Sequence, residues 1–158
     1  MPTRRVLLVV ALGTLVLAVG GCGKLFGPKP TNVVIELNAA QNLNPDVTGR
    51  ASPLRVRLYE LKSVSTFNKA DIFSLTEKDK DLLGADLVTM EEIQVKPGMQ
   101  QTLTRKFGPD SKFLAVLAPY RDWEHATWRA SVEIPPGKTT TVALELAPIS
   151  VSLSIKKK

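Results

Sequence analysis

Apolar and polar residues alternate along most of the chain from residue 33 onward. In residues 54–61, for example, Leu54, Val56 and Leu58 fall on one face, with two arginines between them. A period of two is that of a β-strand with one buried face. The same pattern, bounded by Pro, Gly, Asn and Asp, predicts eight strands, at 33–37, 54–61, 88–95, 99–107, 113–118, 127–134, 139–146 and 149–155.

The periodicity changes between the second and third predicted strands. Apolar residues at Phe67, Ala70, Ile72 and Leu75 recur at roughly helical spacing, and a charged stretch then leads to Gly84. This pattern predicts two short helices in an insert at about 64–86. Thr76 with Asp79 three residues later predicts a helix start, and Gly84 predicts its C-terminal cap. Asp79 itself is expected on a solvated helix face.

Strands that are polar on one face and apolar on the other indicate antiparallel sheets packed over one core. Eight short strands with regular turn signals predict an all-β fold, a two-sheet antiparallel β-sandwich with a small helical insert. The chain has 158 residues. Without its first 21 residues it is long enough for one domain with a single core, which we expect at 33–158.

The N-terminus has a different pattern. Arg4 and Arg5 precede an apolar run from Val6 to Val19, and small residues follow. This is typical of a secretory signal peptide, expected at 1–21. The run spans ~21 Å as a helix, short of the ~30 Å core of a bilayer. Val19-Gly20-Gly21-Cys22 resembles the lipobox of bacterial lipoproteins, where the cysteine is acylated and becomes the new N-terminus.

Two segments after the signal lack a regular pattern. Residues 22–32 hold the cysteine and a Gly- and Pro-containing stretch, which we expect to be a semi-extended tether. Residues 38–53, between the first two strands, are rich in Asn, Pro and Gly, and loops of this length are often functional. Leu43 and Val47 are expected to be exposed there beside Arg50, as an apolar anchor for a partner. Alternatively, the loop only makes turns and Leu43 enters the core.

Charge and cysteine content exclude several classes of function. The net charge of +6 falls to about +4 without the two signal arginines, and Lys156, Lys157 and Lys158 supply most of the remainder. The expected domain is near neutral, which argues against a nucleic-acid partner. The C-terminal lysines are either a solvated end or a contact for anionic lipid or a partner. With Cys22 used for lipid, no thiol remains for a disulfide, a metal or a nucleophile.

Candidate chemistry is sparse. The single histidine, His125, is expected on a surface turn, and it cannot form a usual zinc set without cysteines. Asp79, Asp81 and Gly84 match part of an EF-hand loop, but Leu83 and Met90 occupy positions that require oxygen ligands. We therefore expect no metal site, no cofactor and no enzymatic activity.

Aromatic and arginine residues gather near residues 120–129. The segment contains Tyr120, Arg121, Asp122, Trp123 and Trp128-Arg129. The structural interpretation is that Trp128 covers the end of the sandwich and Arg121 pairs with Asp122 or a neighbouring acid. Because Arg and Trp are enriched at interfaces, the alternative is a partner surface.

Several segments together resemble one family, the outer-membrane lipoproteins of type VI secretion systems (TssJ, or SciN). They run in the family's order over nearly all of the mature chain: Leu43-Asn44-Pro45-Asp46, Gly49-Arg50-Ala51-Ser52-Pro53, Val56-Arg57-Leu58-Tyr59-Glu60-Leu61-Lys62, Phe67, Ala70-Asp71-Ile72-Phe73, Leu83-Gly84-Ala85-Asp86-Leu87, Pro97-Gly98, Tyr120-Arg121-Asp122 and Trp128-Arg129. The family's usual Gly-Val pair is absent, and Leu114-Ala115-Val116 stands in its place.

The resemblance implies a transthyretin-like sandwich anchored by lipid on Cys22 to the periplasmic face of the outer membrane. Gly23, where an aspartate commonly retains enterobacterial lipoproteins in the inner membrane, fits that location. The implied partner is the periplasmic C-terminal domain of TssM, with TssL reached indirectly. The implied contact is the first loop: Gln41, Asn42, Leu43, Asn44, Pro45, Asp46, Val47, Gly49 and Arg50. The alternative function is a periplasm-facing lipoprotein that binds a small ligand or polysaccharide near Trp123 and Trp128.

Overall fold

The computed structural model describes residues 29–157, in which eight strands form two four-stranded sheets. The strands are β1 (Thr31–Ala39), β2 (Leu54–Leu61), β3 (Leu87–Val95), β4 (Gln100–Phe107), β5 (Phe113–Leu117), β6 (Arg129–Glu133), β7 (Thr139–Leu146) and β8 (Val151–Ile155). One sheet has the order β4-β1-β7-β8 and the other β3-β2-β5-β6. The predicted β-sandwich is confirmed. The predicted signal peptide, Cys22, the tether up to residue 28 and Lys158 lie outside the described residues.

The strand boundaries follow the pairing of the neighbours. The bounds predicted for β2 and β7 match, whereas β1 extends beyond 33–37 at both ends because β4 and β7 continue the ladder along its two edges. Thr31 and Asn32 therefore belong to the sheet and not to the tether. β6 begins two residues later than predicted. β8 also begins two residues later than predicted, because the Ala147 amide donates to the Ser150 carbonyl at 2.8 Å and closes a turn there.

The prediction of purely antiparallel sheets is wrong for one pair of strands. β1 runs parallel to β7, from Asn32 beside Thr139 to Ala39 beside Leu146. The other strand pairs are antiparallel. Alternation reports which side chains share a face and carries no information on strand direction, so the pattern could not reveal this pairing.

Two apolar clusters stabilise the fold. The first, the main cluster, fills the space between the sheets, where Leu54, Val56 and Leu58 of β2 are buried. The second lies on the other face of the same sheet, where Tyr59 and Leu61 pack under the helical insert. β2 is thus buried on both faces, which explains the tyrosine and leucine among its arginines. Within residues 29–157, no helix is long and apolar enough to cross a membrane.

The insert consists of α1 (Ser65–Lys69), α2 (Ile72–Leu83) and a short 3₁₀ turn, Gly84–Asp86. The predicted start at Thr76 is wrong. The cap is Asp71, whose carboxylate accepts from the Ser74 amide at 2.9 Å, while the Thr76 hydroxyl donates back to the Ile72 carbonyl. Gly84 ends α2 as predicted, at a φ of 47°.

Asp79 is buried, so its predicted position on a solvated helix face is also wrong. Lys78 departs from helical geometry and kinks α2 at that point. The Asp79 carboxylate accepts from the Tyr59 hydroxyl at 2.9 Å and from the Arg57 guanidinium at 3.2 Å. The same Arg57 nitrogen donates to the carbonyls of Leu75 and Thr76. This ion pair fastens the insert to β2.

Candidate functional site

Four connections meet at one end of the sandwich: the long β1–β2 loop (residues 40–53), the β3–β4 turn, the β5–β6 connection and the β7–β8 turn. We call this end the loop pole. Residue 31, where the described chain enters β1, lies at the opposite end, which we call the tether pole. The nine residues of β1 separate the two poles by ~26 Å at ~3.3 Å per residue.

The base of the β1–β2 loop is part of the core. Leu43 is fully buried in the main cluster, so its predicted exposure is wrong and the alternative, that it enters the core, is correct. Asn44 is buried beside it at a φ of 48°. Its side chain donates to the Pro53 carbonyl at 3.1 Å and accepts from the Arg121 amide at 2.8 Å. Asn44 therefore joins both ends of the loop to the β5–β6 connection.

The tip of the loop is closed around one carboxylate. Asp46 accepts from the Thr48 hydroxyl at 2.7 Å, from the Thr48 and Arg50 amides at 2.9 and 3.0 Å, and from the Arg50 guanidinium at 3.2 Å. The Thr48 hydroxyl, followed by the Arg50 amide, lowers the pKa of Asp46 from 3.8 to about 2. A depressed pKa means that these bonds stabilise the loop above about pH 4 and are lost only as the pH falls through about 2.

Five of the nine predicted contact residues are exposed: Gln41, Asn42, Val47, Gly49 and Arg50. Among them is Val47, whose apolar side chain lies entirely in solvent. Pro45 and Asp46 are partly buried, and Leu43 and Asn44 face inward. The tip therefore presents one apolar side chain and one guanidinium on a closed turn.

Neighbouring turns brace the loop. Gly98 donates its amide to the Ala40 carbonyl at 3.0 Å and has a φ of 72°; a Cβ there would lie 2.6 Å from the Gln41 side chain. The buried Tyr120 hydroxyl donates to the carbonyls of Ser150 at 2.7 Å and Ala147 at 3.1 Å. The loop pole is consequently a hydrogen-bonded surface whose shape is set before any partner arrives.

In the segment of residues 120–129, Trp128 and Arg129 have a structural role. Trp128 is partly buried against both clusters, with the Arg129 guanidinium 4.6 Å from its ring centre. Arg129 also donates to the carbonyls of Phe67 and Ala70 at the end of α1. The predicted Arg121–Asp122 pair is not formed. Asp122 contacts His125 instead, at 2.7 Å, and that hydrogen bond raises the pKa of the exposed imidazole.

Two cavities stand out in the described part of the chain. One, of about 340 Å³, opens between the edge strands β3 and β4, where Arg105 and Glu91 form a bidentate ion pair. The other, of about 420 Å³, lies beside the loop pole. Neither is lined by Trp123 or Trp128, so the aromatic pocket that the ligand-binding alternative needs is not one of these two. No group of three or more potential metal ligands occurs within residues 29–157.

Comparisons with known proteins agree with the observed fold. The family model described as "Type VI secretion lipoprotein, VasD, EvfM, TssJ" matches residues 31–148. The T6SS lipoprotein TssJ1 from Pseudomonas aeruginosa is 39% identical, with a TM-score of 0.79 over 82% of this chain and 98% of that one. No curated protein matches the chain significantly.

Two more distant structures share the fold. Serratia marcescens Lip, described as a membrane-bound component of the type VI secretion system, is 22% identical, with a TM-score of 0.71 over 80% of this chain and 97% of that one. A chain in the structure described as the TssM C-terminal domain (869-1107) from EAEC is 20% identical, with a TM-score of 0.60 over 80% and 98%. The match to the family model covers most of the sequence, and the chain belongs to the TssJ (SciN) family of type VI secretion lipoproteins.

Proposed function

We propose that this lipoprotein is anchored in the outer membrane through Cys22 and binds the periplasmic C-terminal domain of TssM with its loop pole. TssL is reached through TssM. The observation that carries the proposal is that the tether and the β1–β2 loop lie at opposite ends of the sandwich. The tether enters the sandwich at one pole, and the braced loop lies ~26 Å away at the other. A protein held by its tether thus points its loop away from its own membrane. This role requires no catalysis.

The anchor depends on residues that precede the described chain. One acyl chain of myristoyl length gives only marginal binding, so stable attachment needs more than one chain, as expected for a lipobox cysteine. The eight residues from 23 to 30, with two prolines, reach ~25 Å when semi-extended at ~3.1 Å per residue. That length lets the sandwich stand clear of the headgroups.

The loop tip is suited to a protein partner. Its turn is closed by the Asp46 hydrogen bonds, so little conformational entropy is lost when it docks. Val47 offers an apolar anchor beside the exposed Arg50. Arginine is enriched among the residues that contribute most binding energy in protein interfaces. A chain with the same fold occurs in the structure described as the TssM C-terminal domain, which supports that domain as the partner.

A valine substitution tests the docking surface. We expect Val47→Asp to weaken binding of the TssM periplasmic domain by about tenfold or more, because it places a charge in an apolar contact. Isothermal titration calorimetry measures the affinity. Val88→Asp, at another exposed valine on β3, is the matched control and leaves the affinity unchanged. Equal affinities for Val47→Asp and the wild type would remove the loop tip from the interface.

Cys22→Ser tests the anchor. We expect this variant to lose palmitate labelling and to leave the outer-membrane fraction, since no other cysteine is present. Gly23→Asp is the companion variant, which we expect to keep its label and to move to the inner membrane. Labelling and membrane fractionation report both results. Continued labelling of Cys22→Ser contradicts the lipobox assignment, and an unmoved Gly23→Asp contradicts the sorting step.

A further inference from the structure

The 420 Å³ cavity beside the loop pole is a cleft lined by arginines. It lies on the helix-bearing face of the β3-β2-β5-β6 sheet, and Pro53, Pro119 and Thr76 of α2 are among the residues that line it. Arg55, Arg57 and Arg121 line it together with one acid, Glu92. We call this set the arginine cleft. Asp79 is bonded to Arg57 as a second carboxylate, so the three guanidinium groups and the two carboxylates leave one net positive charge.

Two of the three arginines, Arg55 and Arg121, are less closely paired with carboxylates than Arg57 is. Arg57 is occupied by Asp79 at 3.2 Å and Glu92 at 3.0 Å. Arg55 is 73% exposed, and its 3.5 Å distance from Glu92 makes that contact a weak one, at the limit of a hydrogen bond. Arg121 forms no ion pair within residues 29–157, and its backbone is fixed by Asn44. A fixed backbone with an uncommitted guanidinium is well placed to receive an external carboxylate.

An exposed aromatic pair adjoins these residues in sequence. Phe73 precedes Thr76 by about one turn of α2, and Trp123 follows Arg121 by two residues. Their rings meet edge to face, with centres 5.0 Å apart, although the residues are 55% and 37% exposed. Aromatic residues and arginine are both enriched in protein interfaces.

From these features we infer that the arginine cleft receives an acidic segment of a protein partner. A carboxylate binds between Arg55 and Arg121, and a neighbouring apolar side chain packs on Phe73 and Trp123. The inference rests on the proposed function for the identity of that partner, the TssM domain. A lipid headgroup fits less well, because the cleft adjoins the loop pole, ~26 Å from the tether.

Charge reversal tests the cleft with a defined probe. The first probe is an end-blocked peptide of alternating Glu and Leu, added to the full chain in detergent and followed by the NMR signal of the Trp123 indole N–H. We expect saturable shifts that weaken between ~50 and ~300 mM salt. Arg121→Glu and Arg55→Glu are expected to bind about tenfold or more weakly. Lys112→Glu, an exposed lysine in the β4–β5 connection, is the matched control and binds as the wild type does.

Three peptide results would overturn the inference: no saturable shift at Trp123, equal binding by Arg121→Glu, or equal binding of a Gln/Leu peptide. Inorganic phosphate that binds as tightly as the peptide would also overturn it, because the cleft would then be a simple anion site. Arg121→Gln, with an unchanged far-ultraviolet circular dichroism spectrum, separates loss of charge from misfolding.

The TssM periplasmic domain is the second probe. Weaker binding by Arg121→Glu than by Lys112→Glu places the acidic segment on that domain. If the wild type binds the peptide but not the domain, the proposed partner is wrong and the cleft inference stands. If the domain binds every variant equally and the peptide does not bind, the cleft inference fails and the proposed function stands.

Discussion

Asp79→Ala is expected to lower the free energy of unfolding by about 3 kcal/mol, near the lower end of the range for breaking a buried ion pair. The side chain is 10% exposed and that of its partner Arg57 is 19% exposed, so neither charge is well solvated. Removing the carboxylate leaves the Tyr59 hydroxyl without its acceptor beneath the insert. It also leaves Arg57 with only Glu92 as a counter-charge.

Urea unfolding followed by tryptophan fluorescence measures this change. Asp81→Ala is the matched control, because Asp81 is an exposed aspartate on the same helix and forms no ion pair within residues 29–157. Tyr59→Phe removes only one hydrogen bond and should cost about 1 kcal/mol. A loss below about 1 kcal/mol for Asp79→Ala contradicts the view that this ion pair fastens the insert to β2.

Asn44→Ala is expected to cost about 2–3 kcal/mol and to weaken binding of the TssM domain. Two partners lose their bonds, the Arg121 amide and the Pro53 carbonyl, at about 1 kcal/mol or more each. Alanine must also adopt the positive φ of 48°, which an asparagine tolerates better. The loop then loses its connection to the β5–β6 segment, so its tip is no longer held in place.

Asn44→Gly separates the two contributions, since glycine accepts the positive φ and still lacks the side chain. We expect it to be intermediate in stability and as weak as Asn44→Ala in binding. Urea denaturation and calorimetry give the two quantities. If both variants bind the TssM domain with wild-type affinity, the anchorage of the loop by Asn44 has no part in recognition.

Much of the fold could be predicted from local pattern. Leu54, Val56 and Leu58 alternate with polar residues because one face of β2 is buried between the sheets. A hydrophobic period of two therefore predicts both the strand and its buried face. Gly84 ends α2 because the chain takes a positive φ there, which a glycine predicts. The family resemblance rested on the same local segments, and the comparisons confirm it.

The errors concern residues whose role depends on distant parts of the chain. Asp79 resembles a solvated helix residue until Arg57 and Tyr59, some twenty positions earlier, are placed beneath it. Leu43 lies in a polar loop, and only its position over the main cluster shows that it is buried. Arg121 is predicted to pair with Asp122 or a neighbouring acid, whereas Asp122 contacts His125 and the Arg121 amide donates to Asn44, 77 positions earlier in the chain.

The parallel pairing of β1 with β7 has a consequence for the order of folding. β1 occupies an interior position of its sheet, yet Asn32 lies beside Lys106 on one edge and beside Thr139 on the other. Contacts this far apart in sequence form slowly, since the chain must close a long loop first. A chain that ends before β7 leaves one edge of β1 open to aggregation. β1 therefore cannot complete its pairing until β7 is present, and the sandwich assembles only once almost the whole polypeptide is available.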